Sequence, residues 1–326
     1  MVTVYVATRE KGSGNTSVCA SIGKLVLDAG KKPGYLKPVI SAGNNGDTLF
    51  IKDILSLDEP VEVLSPVINR DNIAAGIKEA VTKVSKGKDV VVIDGSPEQY
   101  RSSTEIAKEL KAKLLIVESY TEDISKATAD FKEFGPSLIG VIINKVPERR
   151  MEKATSEDAE QLAEAGIKFL GAIQEDRALS ALTVGELAAC IDGSFIHGEE
   201  KSGDLIENLM LGAMTVDSGP EYFGRKENKA TIIRSERPDM QLAAISTSTK
   251  CLVVTGETPL KSAVLIKAEE KAIPVITTSV SSAEIMEHVE AVLANPGPNQ
   301  VSKLARFEKL MKKSINLDIL SKELGI

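Results

Sequence analysis

Tryptophan is absent from the 326 residues, and aromatic side chains of all kinds make up only 4%. Aliphatic side chains must therefore fill the cores. Cysteine occurs three times, as Cys19, Cys190 and Cys251. These are far apart and odd in number, with neither disulfide-framework nor zinc spacing, which suits a reducing compartment. The two histidines, His197 and His288, have no His or Cys partner at ligand spacing, so a metal site built on them is not expected. No Ser/His/Asp set can be assembled either. The N-terminal stretch lacks the basic start and apolar core of a signal peptide. No apolar run approaches the roughly 20 residues of a membrane span. A net charge of −7 argues against a nucleic-acid partner. Together these absences predict a soluble cytoplasmic protein that engages neither membrane nor nucleic acid.

The length suggests two or three domains with real cores. Apolar runs recur at 2–7, 90–93, 114–117 and 138–143. Between them lie helical patterns over 72–84, 103–110, 124–131 and 154–165. Continuous apolar strands alternating with amphipathic helices predict an α/β fold, a doubly wound and mainly parallel sheet covered on both faces. Ser102 or Ser103 is a candidate helix cap, and Thr183 with Glu186 forms a capping-box pattern. The polar stretch around 196–203 is the best linker candidate. A second alternation follows, with strands at 229–233, 251–254 and 273–277 and helices at 240–246, 261–271 and 282–293. Asn295-Pro-Gly-Pro298 breaks it, and 301–326 reads as one or two helices whose Lys303, Arg306, Lys309, Lys312 and Lys313 form a solvated face. The expected division is 1–196, a linker at 197–204, a smaller α/β domain at 205–298 and a helical extension at 299–326.

The stretch Arg9-Glu-Lys-Gly-Ser-Gly-Asn-Thr-Ser17 joins the first strand to the first helix. Strand, glycine-rich turn and helix is the layout of a phosphate-binding loop, where backbone N–H groups and the positive helix end receive a phosphate. The candidate ligand residues are Lys11, Gly12, Ser13, Gly14, Asn15, Thr16 and Ser17. Asn15 stands where the Walker pattern has lysine. The loop either binds an anion without that lysine or keeps its glycines only for the turn. Lys11 is one residue short of the extra loop lysine of some ATPases. Lys37, at a predicted strand end, either supplies the missing charge or is a surface lysine before a proline. Asp94 ends a buried strand as a Walker B carboxylate does, and with Thr16 it is a candidate magnesium ligand; otherwise it caps a turn. Glu98 and Glu118 are further carboxylates at predicted strand ends. Asn144, at another, either meets a nucleobase or is a turn asparagine.

In combination these motifs resemble a known family. The loop EKGSGNTS, the segment GYLKPV, the strand VVVIDG and the segment GVIINKV resemble the dethiobiotin-synthetase-like P-loop domain. LMLGAMTVDSGPEYF, RSERPDMQLAAIS and CLVVTG resemble a DRTGG domain. The two in this order look like the amino-terminal regulatory region of long phosphate acetyltransferases. The DRTGG signature reads Glu236-Arg-Pro-Asp239 here, leaving Arg237 and Asp239 as family markers. The resemblance implies a nucleotide (ATP or another, with Mg2+) around the loop, Lys37 reaching toward phosphate and substrate, Asp94 at a nucleotide strand end and Asn144 near adenine. With Asn15 for lysine and no acetyltransferase domain in 326 residues, it implies a regulatory or sensor protein with a degenerate loop. Such a protein would act through a small anionic ligand, a second copy of itself or a separate phosphate acetyltransferase. The alternatives are an ATP-dependent carboxylate-activating ligase of the dethiobiotin or cobyrinate-amidation type, and a structural assembly module.

Overall fold

A computed structural model describes residues 1–41, 45–212, 219–293 and 301–326. The chain forms two compact units. Residues 1–176 and the two C-terminal helices make the first, and residues 177–293 belong to the second.

The first unit is built on six strands: β1 (Val2–Ala7), β2 (Pro33–Leu36), β3 (Val90–Asp94), β4 (Lys113–Ser119), β5 (Leu138–Val146) and β6 (Phe169–Gln174). They pair in the order β2-β3-β1-β4-β5-β6, every pair parallel. Consecutive residues of β1, β3, β4 and β5 are buried. Such strands need cover on both faces, which is why they read as unbroken Val/Ile runs rather than alternating ones. After β1 the chain enters helix α1 (Asn15–Asp28) and moves to the β2–β3 side; after β3 it crosses to β4. The carboxyl ends of β1 and β4 therefore flank a reversal of strand order, the place where open α/β sheets bind ligands.

The helices Val301–Ser314 and Leu317–Leu324 complete this unit. Ile315 bridges Gly171 of β6, and the Asn316 N–H donates to the Leu170 carbonyl at 2.7 Å. Lys24 of α1 pairs with Glu308 at 2.9 Å, and Lys113 with Glu323 at 2.5 Å. The terminal stretch is thus a packed element of the first unit rather than a separate extension. Lys303 is buried, against the expectation of a solvated face, whereas Arg306, Lys309, Lys312 and Lys313 are exposed.

The second unit contains β7 (Leu182–Thr183), β8 (Ser194–His197), β9 (Leu205–Ile206), β10 (Asn208–Leu211), β11 (Lys229–Arg234), β12 (Thr249–Thr255) and β13 (Val275–Thr278). The main sheet runs β10-β11-β12-β13-β8; its first four strands are parallel and β8 is antiparallel to β13. Val253 packs with Leu187, Ile191, Ile285 and Val289 on one face. Its neighbours Leu252 and Val254 pack with Phe223, Met240 and Val264 on the other. That alternation is the period of two of a strand.

The units divide the chain differently from the composition. Residues 177–196 lie in the second unit, because β8 pairs with β13 and the helix Val184–Cys190 contributes Val184, Leu187 and Ala188 to that core. The polar stretch after 196 is a tight turn. Gly198 has φ +79°, and a Cβ there would lie 2.8 Å from the Pro274 backbone. The break at 295–298 lies outside the described residues. The helix expected over 154–165 is two, Met151–Thr155 and Glu157–Glu164. At the join, the Ser156 hydroxyl donates to the Glu152 carbonyl at 2.7 Å, the back-bonding by which serine competes with a helix. Neither Ser102 nor Ser103 caps; the helix Ser103–Leu110 continues from a 3-10 turn over Pro97–Ser102. The Thr183–Glu186 capping box forms, with bonds of 2.8 and 3.1 Å. Among the described residues no helix is long and apolar enough to cross a membrane.

Gly171 fixes how the C-terminal helices meet β6. Its φ is +147°, and a Cβ would lie 2.1 Å from the Ser314 carbonyl oxygen. Gly171→Ala is expected to destabilise the first unit by at least about 2 kcal/mol, from backbone strain and the clash together. The urea midpoint of the purified variant measures this; an unchanged midpoint would contradict the packing described.

Candidate functional site

The loop between β1 and α1 is shaped by its own short bonds. The Thr8 hydroxyl donates to the Ser13 hydroxyl at 2.6 Å, across the turn. Gly12 and Gly14 have φ of +76° and +88°, the left-handed region that favours glycine. Gly14 starts α1, which has neither a side-chain cap nor an acidic residue in its first turn. The N–H groups of Asn15, Thr16 and Ser17 have no carbonyl within the helix to reach. They sit at its positive end.

Below the loop, Asp94 gathers the predicted residues. It is 3% exposed, at the end of β3. The Asn15 amide donates to Asp94 Oδ1 at 2.7 Å, and also to the carbonyls of Gly95 at 3.0 Å and Val6 at 3.2 Å. The Thr16 hydroxyl donates to Asp94 Oδ2 at 2.7 Å, and the Tyr35 hydroxyl to the same oxygen at 2.9 Å. Lys37 Nζ lies 3.5 Å from that oxygen, 3.2 Å from Thr16 Oγ1 and 2.8 Å from Asp47 Oδ2. Asn15 is thus turned down into the sheet ends rather than up toward the loop. Its own Oδ1 is buried without a partner.

The other edge of the loop is held by β5. The Asn144 amide donates to the Ser13 carbonyl at 2.7 Å, and its Oδ1 takes the Lys145 N–H at 2.9 Å. A Cβ on Gly14 would lie 2.2 Å from the Asn144 amide nitrogen. Asn144 therefore braces the loop. Lys145 has φ +58°, unusual for a residue with a side chain, and its Nζ overlies Gly12, 3.9 Å from where a Cβ would be. Lys145 was not singled out from sequence, although it directly follows Asn144. Lys11, which was, is 76% exposed and pairs with Glu98 at 3.7 Å. Ser17 is half-buried, and its carbonyl takes the Ser21 hydroxyl at 2.9 Å.

Arg9 is a second residue that sequence reasoning missed. At the reversal of strand order its guanidinium forks onto Glu118, with bonds of 2.6, 3.1 and 3.1 Å, and lies 5.8 Å from the Phe131 ring centre. Burial pushes the Glu118 carboxyl above its ordinary value, and Arg9 pulls it back. The fork geometry is that of an ionised pair.

Burial alone would lower the Lys37 ammonium, but the charges of Asp94 and Asp47 outweigh it and hold the group above its ordinary value. Burial also pushes the Tyr35 and Tyr5 hydroxyls and the Cys19 thiol up. Cys19 is a packed core thiol. These surroundings bear on magnesium. Each Asp94 oxygen already accepts a donor, Thr16 is bonded to it directly, and Lys37 supplies the positive charge beside them. A magnesium ion on Thr16 and Asp94 would have to share or displace these bonds. Among the described residues no cluster of three or more His, Cys, Asp or Glu could hold a metal. In the second unit Arg237 and Asp239 close on each other at 2.9 Å.

A family model described as an AAA domain matches residues 2–183. The chain belongs to this AAA domain family. A DRTGG domain model matches residues 186–292, so the chain is a dethiobiotin-synthetase-like P-loop domain followed by a DRTGG domain. Phosphate acetyltransferase of Pseudomonas aeruginosa is 23% identical over 282 residues, 75% of this chain and 40% of the relative. ATP-dependent dethiobiotin synthetase BioD of Methanococcus vannielii is 35% identical over 89 residues, 26% of this chain and 42% of the relative. The chain thus spans less than half the length of either curated relative. Among solved structures, a nucleotide-binding protein of Archaeoglobus fulgidus in complex with ADP is 18% identical, covering 54% of this chain and 82% of that one, with a TM-score of 0.38. The CBS and DRTGG domains of a Clostridium perfringens pyrophosphatase are 22% identical, covering 36% and 50%, with a TM-score of 0.32.

Two outcomes follow from the Asp94 cluster. Asn15→Ala removes the donor to three buried acceptors and is expected to cost about 1–3 kcal/mol, read from urea midpoints. The second concerns pH. Tyr5, Tyr35 and Lys37 hold their protons more tightly folded than unfolded, so their contribution is complete at neutral pH and is lost as pH rises. Stability should fall from about pH 10 upward. Tyr35→Phe should fall less steeply; an identical slope would show that Tyr35 is not held as described.

Proposed function

We propose that the first unit holds a nucleotide or another phosphate-bearing anion on its glycine loop, and that the chain is a regulatory binding protein rather than a phosphoryl-transfer catalyst. The observation that carries the reading is the direction of Asn15. Its side-chain amide is spent on Asp94 and two strand-end carbonyls, so only the backbone N–H of residue 15 is left for a phosphate above the loop. The α1 N–H groups remain for an anion, and the Lys145 ammonium stands over Gly12. Anion binding needs only those donors. Phosphoryl transfer also needs charge placed on the transferring group, and Lys37 is occupied by Asp94 and Asp47.

The related dethiobiotin synthetases are ATP-dependent by name, which makes an adenine nucleotide the first candidate. Lys11, Gly12, Ser13, Gly14, Thr16 and Ser17 would surround its phosphates. The Asn144 amide is taken by the Ser13 carbonyl, so its part in this reading is to hold the loop. The kinship with phosphate acetyltransferases favours a separate acetyltransferase chain as partner, or a second copy of this one. The ligase alternative requires Lys37 to leave its two carboxylates.

Calorimetry with ATP, ADP and GTP, each with magnesium and with EDTA, tests this. Binding is expected to persist in EDTA. Lys145→Ala should weaken it about tenfold, the loss of one charge-assisted contact of roughly 1.5 kcal/mol. Wild type should show no ATP turnover. Absence of binding by every nucleotide at millimolar concentration would end the nucleotide reading, and turnover that vanishes in Lys37→Ala would establish the ligase instead.

A further inference from the structure

The second unit contains a cavity of about 760 Å³, within the size range of small-molecule sites. It opens where β11, β12 and β13 end, the edge at which parallel sheets take ligands. Thr255, the last residue of β12, is 5% exposed and lines it. Its hydroxyl makes no hydrogen bond to any described residue. The neighbouring Thr278 shows the contrast: its hydroxyl donates to the Ile191 carbonyl at 2.6 Å and accepts the Val280 N–H at 3.1 Å. Thr255 is buried as a residue, but its hydroxyl reaches the cavity, where it is free to bond to an occupant.

Arg234 stands beside Thr255 in register, so the two side chains leave the sheet on the same face. It also lines the cavity, and its exposed guanidinium hydrogen-bonds to no described residue. Opposite lies the start of the twelve-residue helix Ser282–Leu293. Its cap is partly closed: the Glu284 N–H donates to the Ser281 hydroxyl at 3.3 Å, and the Ser281 N–H to the Glu284 carboxylate at 3.0 Å. The N–H groups of Ser282 and Ala283, both on the cavity wall, remain. Glu236 completes the polar side. Its Oε1 accepts the hydroxyls of Ser235 at 3.2 Å and Thr258 at 3.3 Å, and its own backbone N–H and the charge of Arg234 help hold the carboxylate ionised on the cavity wall. The remaining wall is apolar, with Leu211, Val280 and Met286.

We propose that this cavity binds an organic phosphate ester with free hydroxyl groups, of nucleoside- or sugar-phosphate size. The phosphate lies against Arg234, the Thr255 hydroxyl and the Ser282 and Ala283 N–H groups. Glu236 accepts the ligand's hydroxyls, a task for which a lone carboxylate beside an arginine is suited; a site for bare anions would have no use for it. The apolar wall takes the rest of the molecule. This site is independent of the loop in the first unit, and neither proposal needs the other.

The test uses the full chain with labelled Leu, Val and Met methyl groups, titrated with AMP, ribose 5-phosphate, adenosine and inorganic phosphate. AMP or ribose 5-phosphate is expected to shift the Leu211, Val280 and Met286 signals saturably. AMP binding more tightly than ribose 5-phosphate identifies a nucleoside phosphate; equal affinity identifies the sugar phosphate. Arg234→Ala should weaken both esters at least tenfold. Thr255→Val, which keeps the shape and removes the hydroxyl, should weaken them about threefold without lowering the melting temperature. Glu236→Gln should weaken the esters and leave inorganic phosphate unchanged. Signals at those three residues that stay still with every probe at millimolar concentration would overturn the proposal. So would Arg234→Ala or Arg234→Gln binding the esters as tightly as wild type.

Discussion

One buried carboxylate organises the first unit. Asp94 is 3% exposed, and a charge so placed is tolerable only when its oxygens are satisfied and a counter-charge is close. Asn15 comes to it from the start of α1, Thr16 from the next position, Tyr35 from β2 and Lys37 from just beyond β2. The carboxylate thereby ties the loop, the first helix and two strand ends together. Asn15 brings it a neutral donor and Lys37 the counter-charge.

The loop's backbone keeps the features that receive an anion, the left-handed glycines and an uncapped helix start. Its side chains are turned to holding its own shape: Thr8 on Ser13, Asn144 on Ser13, Asn15 on the sheet. A loop braced on three sides is pre-organised, so a ligand would spend little of its interaction on ordering it.

Sequence periodicity revealed β1, β3, β4 and β5, the helix after the loop, and the strand-end position of Asp94. These depend on local spacing, and buried parallel strands have a pattern of their own. Asn144, expected at a strand end, lies within β5, which continues to Val146. The direction of Asn15 was not legible, because an amide beside a glycine can turn either way and the choice is made by Asp94, 79 residues on. The Arg9–Glu118 fork spans 109 residues and has no local signal. Lys145 has no local signal, because a left-handed backbone at a lysine contradicts its propensity; it accompanies the bond from its N–H to the Asn144 side-chain oxygen. The division of the chain was misjudged over 177–204 for a related reason. A short edge strand and a polar turn look alike in composition, and only the pairing of β8 with β13 separates them.

The path of the chain has a consequence for how the protein is made. Residues 1–176 leave the first unit, and the chain re-enters it only with the helices from Val301 onward. The second unit is an insertion, finished while the first still lacks the elements that cover β6 and one side of α1. On the ribosome, where synthesis runs from the amino terminus at roughly 5–20 residues per second, the later unit can close first. The earlier one must wait with an open flank until the helices Val301–Ser314 and Leu317–Leu324 have emerged. Gly171 and Leu170, at the seam where Ile315 and Asn316 dock, therefore meet their partners only after the second unit has been synthesised. A nascent chain stalled short of that point would present the flank of β6 to chaperones.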